Sequence, residues 1–164
     1  MRARRLVPLL LLVSVAGAAL LLGGWGRERV ITVTHGVATA VYVDNGATGS
    51  SVGDVRFFEL PVQVKDSAMT GRLDAMFTTT GVNSPEVGAE TRMAQLIVTF
   101  ADPRDQLVVS GMAVYPAAGS TIVANSSTIR PITGGSGRYS GARGWCESVH
   151  LADGTWQHIF HLQQ

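Results

Sequence analysis

At 164 residues, 46% of them hydrophobic and 15% charged, the chain holds one domain's worth of sequence with enough apolar side chains for a packed core, which excludes a disordered protein. The formal charge is +1, and Arg2, Arg4 and Arg5 supply the basic excess: without them ten basic residues face twelve acidic ones, a balance of −2 that excludes a nucleic-acid-binding surface. The single cysteine, Cys146, excludes an internal disulfide and a cysteine-built zinc site, and reads as a small buried apolar side chain.

In chain order, the three arginines precede an apolar run over residues 6–22, with Ser14 its one polar side chain and Ala16-Gly17-Ala18 inside it. This layout predicts a secretory signal cut after Ala18 or, because Leu20-Leu21-Leu22 prolong the run, a retained membrane anchor with its arginines inside. The expected product is exported, either extracellular or tethered facing outward, and meets a membrane only through this segment if it stays uncleaved. Residues 23–29 read as a linker, and the domain is expected over residues 30–164.

β-branched residues dominate 29–34 and 37–43, broken by His35-Gly36, which predicts one long bent strand with a bulge. A polar loop with Asn45-Gly46 follows, then a strand over 55–64 that ends near Pro61 or soon after, and another over 69–80. Residues 92–100 and 106–115 form a natural hairpin across Asp102-Pro103-Arg104-Asp105. Strands are predicted at 120–125, 127–130, 145–151 and 155–162. About eight strands at short intervals, with no amphipathic helix after the leader, predict an all-β barrel or sandwich.

Residues 131–144, from Pro131 to Gly144, read as a tight connection with repeated positive φ between two strands. No helical period follows these glycines, which argues against a phosphate cradle. Ile132-Thr133-Gly134-Gly135-Ser136-Gly137-Arg138-Tyr139-Ser140-Gly141-Ala142-Arg143-Gly144 resembles the Gly-rich signature of the allene oxide cyclase and dirigent barrel superfamily. Val52-Gly53-Asp54-Val55-Arg56-Phe57-Phe58-Glu59-Leu60 is similar to a strand of its cyclase branch, and Ala152-Asp153-Gly154-Thr155-Trp156 to its closing hairpin. The resemblance spans roughly residues 30–162.

The resemblance implies a closed, mostly antiparallel eight-stranded barrel with an apolar central cavity for a hydrophobic small molecule, and homo-oligomers are common among such barrels. It places Cys146, Ser148 and His150 inward and Trp145, Glu147 and Val149 outward. It also places Arg56, Phe58, Leu60 and Met112 inside, Tyr115 and Arg130 near the mouth, and Asp74 and Met76 inside rather than Leu73 and Phe77. Arg130 then suits a carboxylate, enolate or polarised carbonyl, because a guanidinium stays charged and offers a fork of donors. Tyr115 would donate to the same oxygen, His150 would exchange protons near neutral pH, and Ser148 would sit beside it. Arg56, Phe58, Met76, Met112 and Cys146 are the expected substrate contacts, and Arg138 and Arg143 are expected to fix the Gly-rich turn. No cofactor or metal is expected: His158 and His161 lie three apart and so face opposite sides of a strand, and His35 lacks carboxylate neighbours. No Gly-x-Ser-x-Gly elbow supports a Ser-His-Asp hydrolase.

Such barrels include plant allene oxide cyclases, dirigent proteins that steer radical coupling, and bacterial enzymes of [4+2] cyclisation in spirotetronate and polyether polyketide pathways. The resemblance therefore implies a cyclase or isomerase that folds a polyene-like molecule, polyketide- or fatty-acid-derived, and promotes intramolecular closure. The alternative is an exported barrel that binds a lipid or steers coupling without turnover. Residues 31–43 lack the acidic residue, Asn and Pro of the plant cyclases, and His35-Gly36 stands where dirigent proteins carry a His-Asp pair.

Overall fold

The structure is a computed structural model that describes residues 28–116 and 121–163. The signal or anchor expected over residues 1–22, and most of the linker, lie outside the described residues. The strands are β1 (Arg29–His35), β2 (Val41–Val43), β3 (Val55–Val64), β4 (Thr70–Val82), β5 (Ala89–Phe100), β6 (Gln106–Pro116), β7 (Ser126–Ser136), β8 (Arg143–His150) and β9 (Trp156–Gln163). They run in the order β1-β9-β8-β7-β6-β5-β4-β3-β2, and an additional β1–β3 pairing closes eight of them into a barrel whose pairings are all antiparallel. Closure leaves no long unpaired edge.

The expected single first strand is two pieces, because residues 36–40 leave the sheet between β1 and β2. Both pieces lie along β3, where β1 reaches Gln63 and β2 begins opposite Phe57. Pro61 sits in the stretch of β3 between these partners, where a residue without an N–H costs no ladder bond on that side. A strand predicted at 120–125 is absent among the described residues 121–125, which form a turn with Asn125 at φ 60. Ile122 is buried there, and the Asn125 amide donates to the His150 carbonyl at 2.7 Å, tying the turn to the end of β8.

The first half of the Gly-rich stretch belongs to β7, and the connection itself is a 3-10 turn at Gly137–Tyr139 followed by residues 140–142. Asp105 holds it: its carboxylate accepts the Arg138 backbone amide at 2.8 Å and the Arg138 Nε at 2.5 Å. Gly137 stands at φ 58, and a Cβ there would lie 2.2 Å from Asp105 Oδ1. Glycine lets the turn close onto that carboxylate.

Side chains alternate across the sheet, so each strand sends every second residue into the barrel. These inward residues change character along the axis. At one end Val33, Val98, Phe100, Leu107, Val109, Ile132, Tyr139, Phe160 and Leu162 fill the interior as a continuous apolar plug. Further along the same strands the inward positions become His35, Arg56, Arg92, Tyr115, Arg130, Ser148 and His158, all buried.

Candidate functional site

Above the plug lies a cavity of about 380 Å³, within the range of small-molecule sites. Phe58, Leu60, Leu73, Ala75, Phe77 and Leu96 give its apolar walls, and His35, Arg56, Arg92, Tyr115, Arg130, Ser148 and His158 its polar ones. Of the expected site residues, Arg130, Tyr115, Ser148, Arg56 and Phe58 line this space.

Arg130 projects from β7 at 2% exposure. Its Nη1 donates to Thr128 Oγ1 at 2.7 Å, its Nη2 donates to the Tyr115 hydroxyl, and its guanidinium lies 5.8 Å from the centre of the Phe77 ring. Among the described residues no carboxylate pairs with it, and its Nε is buried with no acceptor. Tyr115 takes a hydrogen bond from Arg130, so its own O–H remains free to donate. Burial pushes this phenol up more than the Arg130 and Arg92 charges pull it down, keeping it protonated.

Beside this pair stands a neutralised cluster. Glu90 on β5 is 1% exposed and accepts Arg92 Nε at 3.0 Å and Nη2 at 2.9 Å, while Ser50 donates to its other oxygen and Arg56 lies 3.7 Å away. Arg56 donates to Thr79 Oγ1 at 3.0 Å and packs 4.8 Å from the Tyr42 ring centre. Tyr42 in turn donates to Asp54 at 2.6 Å. Burial pushes the Glu90 carboxyl up, but the Ser50 and Arg92 donors and the charges of Arg92 and Arg56 outweigh it and hold the group below its usual 4.5. A carboxyl depressed on folding contributes stability that is whole above its unfolded value and is lost as pH falls through the folded one. Glu90→Gln is therefore expected to destabilise the protein by about 2–3 kcal/mol at pH 7. In urea unfolding the difference from the parent protein should shrink progressively below pH 4.5.

Five expected positions are corrected. Met112 is 61% exposed on the outer face, opposite Met93, because β6 keeps its register from there to Tyr115 and residues three apart on an unbroken strand face opposite sides. Met76 and Asp74 also face out, while Leu73, Ala75 and Phe77 face in; Asp74 accepts Arg72 Nε at 2.8 Å on the exterior. Cys146 points inward but belongs to the apolar plug, where burial pushes its thiol up to about 12. His150 does not line the cavity. Its ring stacks on Trp156 at 4.5 Å between centres, and its Nδ1 donates to the Ile122 carbonyl at 2.7 Å. Trp145 lies outside against His161, stacked at 4.5 Å.

Sequence reasoning missed the two histidines that do line the cavity, His35 and His158. His158 Nδ1 lies 2.8 Å from Ser148 Oγ, and its Nε2 lies 3.1 Å from His35 Nε2. His35 Nδ1 meets the Gly36 carbonyl at 2.7 Å. His158 and His161 do face opposite sides, as their spacing predicts, and no group of three or more metal-ligating side chains occurs among the described residues.

No family profile and no curated protein sequence matches the chain. Its fold is similar to that of a pyocyanin demethylase, with a TM-score of 0.60 at 17% identity over 84% of this chain and 100% of that one. It is also similar to a pterocarpan synthase dirigent protein, with a TM-score of 0.54 at 17% identity over 93% of this chain and 96% of that one. At this identity the likeness establishes the shared dirigent-like barrel fold.

Proposed function

We propose that the barrel binds a largely apolar, conjugated small molecule carrying an oxyanion or polarised carbonyl and promotes its isomerisation or ring closure, with [4+2] closure of a polyene as one such reaction. The reading rests on one observation: a buried guanidinium with no carboxylate partner among the described residues, its Nε unpaired there, donates to a tyrosine whose own proton is unspent, on the wall of a cavity with aromatic sides. Burying an uncompensated charge is costly, and an anionic or strongly polarised oxygen offsets that cost. Two donors aimed at an oxygen that gains charge in the transition state are worth about 3 kcal/mol each in acyl-transfer sites, and confinement of a flexible chain lowers the barrier further.

The two solved structures described above are named for small-molecule chemistry, a demethylase and a pterocarpan synthase dirigent protein, which supports a transforming barrel. The test is mass spectrometry of the compounds extracted from protein purified from its native host, beside Arg130→Ala. A conjugated compound together with its isomer in the parent protein, absent or unrearranged in Arg130→Ala, is expected. An identical, unrearranged compound in both would make the protein a carrier and remove Arg130 from the site.

A further inference from the structure

The cavity holds a second polar device that the Arg130–Tyr115 pair does not use. A carbonyl only accepts, so the 2.7 Å contact to Gly36 places the proton of neutral His35 on Nδ1 and leaves its Nε2 an acceptor. The facing His158 Nε2, 3.1 Å away, must then carry the proton and donate. His158 Nδ1 is left as an acceptor for the Ser148 hydroxyl at 2.8 Å. One arrangement of protons satisfies all three contacts with both rings neutral: Ser148 donates to His158, His158 to His35, and His35 to the Gly36 carbonyl.

We propose that Ser148, His158 and His35 form a proton relay, with Ser148 the hydroxyl that meets the bound molecule and His35 the end that holds the transferred proton. This rests on the proposed binding of an oxygen-bearing conjugated molecule in the same cavity. An acidic C–H of that molecule loses its proton to Ser148 Oγ as the Ser148 proton moves to His158 Nδ1 and the His158 Nε2 proton moves to His35 Nε2. The electron pair of the broken C–H bond settles on the conjugated oxygen facing Arg130 and Tyr115, and His35 becomes the imidazolium. The reverse passage returns the proton to a different carbon of the same anion, so atoms and charge balance without an oxidant or reductant. The reaction class is a proton-transfer isomerisation.

The surroundings suit this direction. His158 is enclosed by Ser148 from β8, Arg130 from β7 and His35 from β1, and burial, then the neighbouring His35 and Arg130, push it down to about 3. It therefore passes protons without keeping a second one. His35 ends β1 on the cavity wall, where the strand runs beside Pro61, Val62 and Gln63 of β3, none of them charged, and its ring stacks with Trp156. Burial lowers it, offset in part by the Gly36 carbonyl.

The relay has a signature that a packing role lacks. When His35 takes a proton on Nε2, that nitrogen turns from acceptor to donor, so His158 must give up its Nε2 proton and carry one on Nδ1 instead. Nitrogen-15 spectra of the imidazoles of the unaltered, ligand-free protein, recorded from pH 7.5 to 4.5, read this directly. The expected result is His158 protonated on Nε2 and His35 on Nδ1 at the start, then protonation of His35 with His158 exchanging its Nε2–H for Nδ1–H while remaining neutral. In Ser148→Ala the His158 Nδ1 resonance should move to that of an unbonded acceptor at pH 7.5. A His158 already protonated on Nδ1 at pH 7.5, or two rings that titrate independently, overturns the relay. Because no ligand is present, either outcome leaves the anion-binding reading of Arg130 to stand or fall on its own test.

Discussion

Arg130→Met is expected to abolish preference for anions while leaving the fold at least as stable. With a conjugated tetraene fatty acid as a fluorescent probe, the parent protein should bind the acid more tightly than its methyl ester, and Arg130→Met should weaken the acid roughly 10- to 150-fold while changing the ester little. That range corresponds to the roughly 1.5–3 kcal/mol of a hydrogen bond to a charged group. The same substitution removes a 2% exposed cation whose Nε has no acceptor and which no carboxylate among the described residues neutralises. Replacing such a group with an apolar side chain of similar length is neutral or stabilising by about 1 kcal/mol or more. Weaker binding together with an equal or higher midpoint in urea identifies a residue kept for a ligand. Equal affinity for acid and ester in both proteins, or a loss of stability in Arg130→Met, would make Arg130 a structural residue.

The largest loss of stability is expected at Gly144. It sits at φ 130, and a Cβ there would lie 1.9 Å from the His161 carbonyl oxygen and 3.0 Å from its carbon. Both atoms are backbone of the paired strand β9, so relief requires the β8–β9 ladder to separate. Gly144→Ala combines that overlap with a backbone region that L residues avoid, and should cost about 4 kcal/mol or more in urea unfolding. Ten residues earlier, Gly134 has an ordinary φ and open space where a Cβ would go. Gly134→Ala should be neutral or stabilising by up to about 1 kcal/mol, because it restricts the unfolded chain alone. Equal costs at the two positions would refute the claim that Gly144 is fixed by the approach of β9.

The sequence carried strand identity where apolar content and turn chemistry agreed. The residues of β3 and the β5–β6 hairpin fall where their β-branched runs and the Asp102-Pro103 turn put them. On β8 alternation separates Trp145 and Glu147 from Cys146 and Ser148, but the choice of face came from the family resemblance. On β4, Leu73, Ala75, Met76 and Phe77 are apolar on both parities, so hydrophobicity could not choose a face. The available signal was charge: Arg72 and Asp74, two residues apart, share the outer face with Glu59 of β3, where Arg72 lies 3.6 Å from Glu59. For Met112 the signal was parity with Tyr115, since both could not point inward on one regular strand. The meeting of His35 and His158 was out of reach, because 123 residues separate them and their contact depends on β1 and β9 closing the barrel.

The axial change from apolar plug to polar wall makes the chamber a blind alley. For a ligand held as proposed, the tail travels first toward Leu73 and Leu96 and the oxygen comes to rest behind it, beside Arg130 and Tyr115. Product has to back out through the doorway by which its precursor came in, so each turnover is an exchange and the two species compete for one threshold. The floor built by Val109, Ile132 and Phe160 then acts as a ruler. It sets the longest tail that still lets the oxygen reach its donors, and trimming that floor should shift the preferred chain length without touching a polar group.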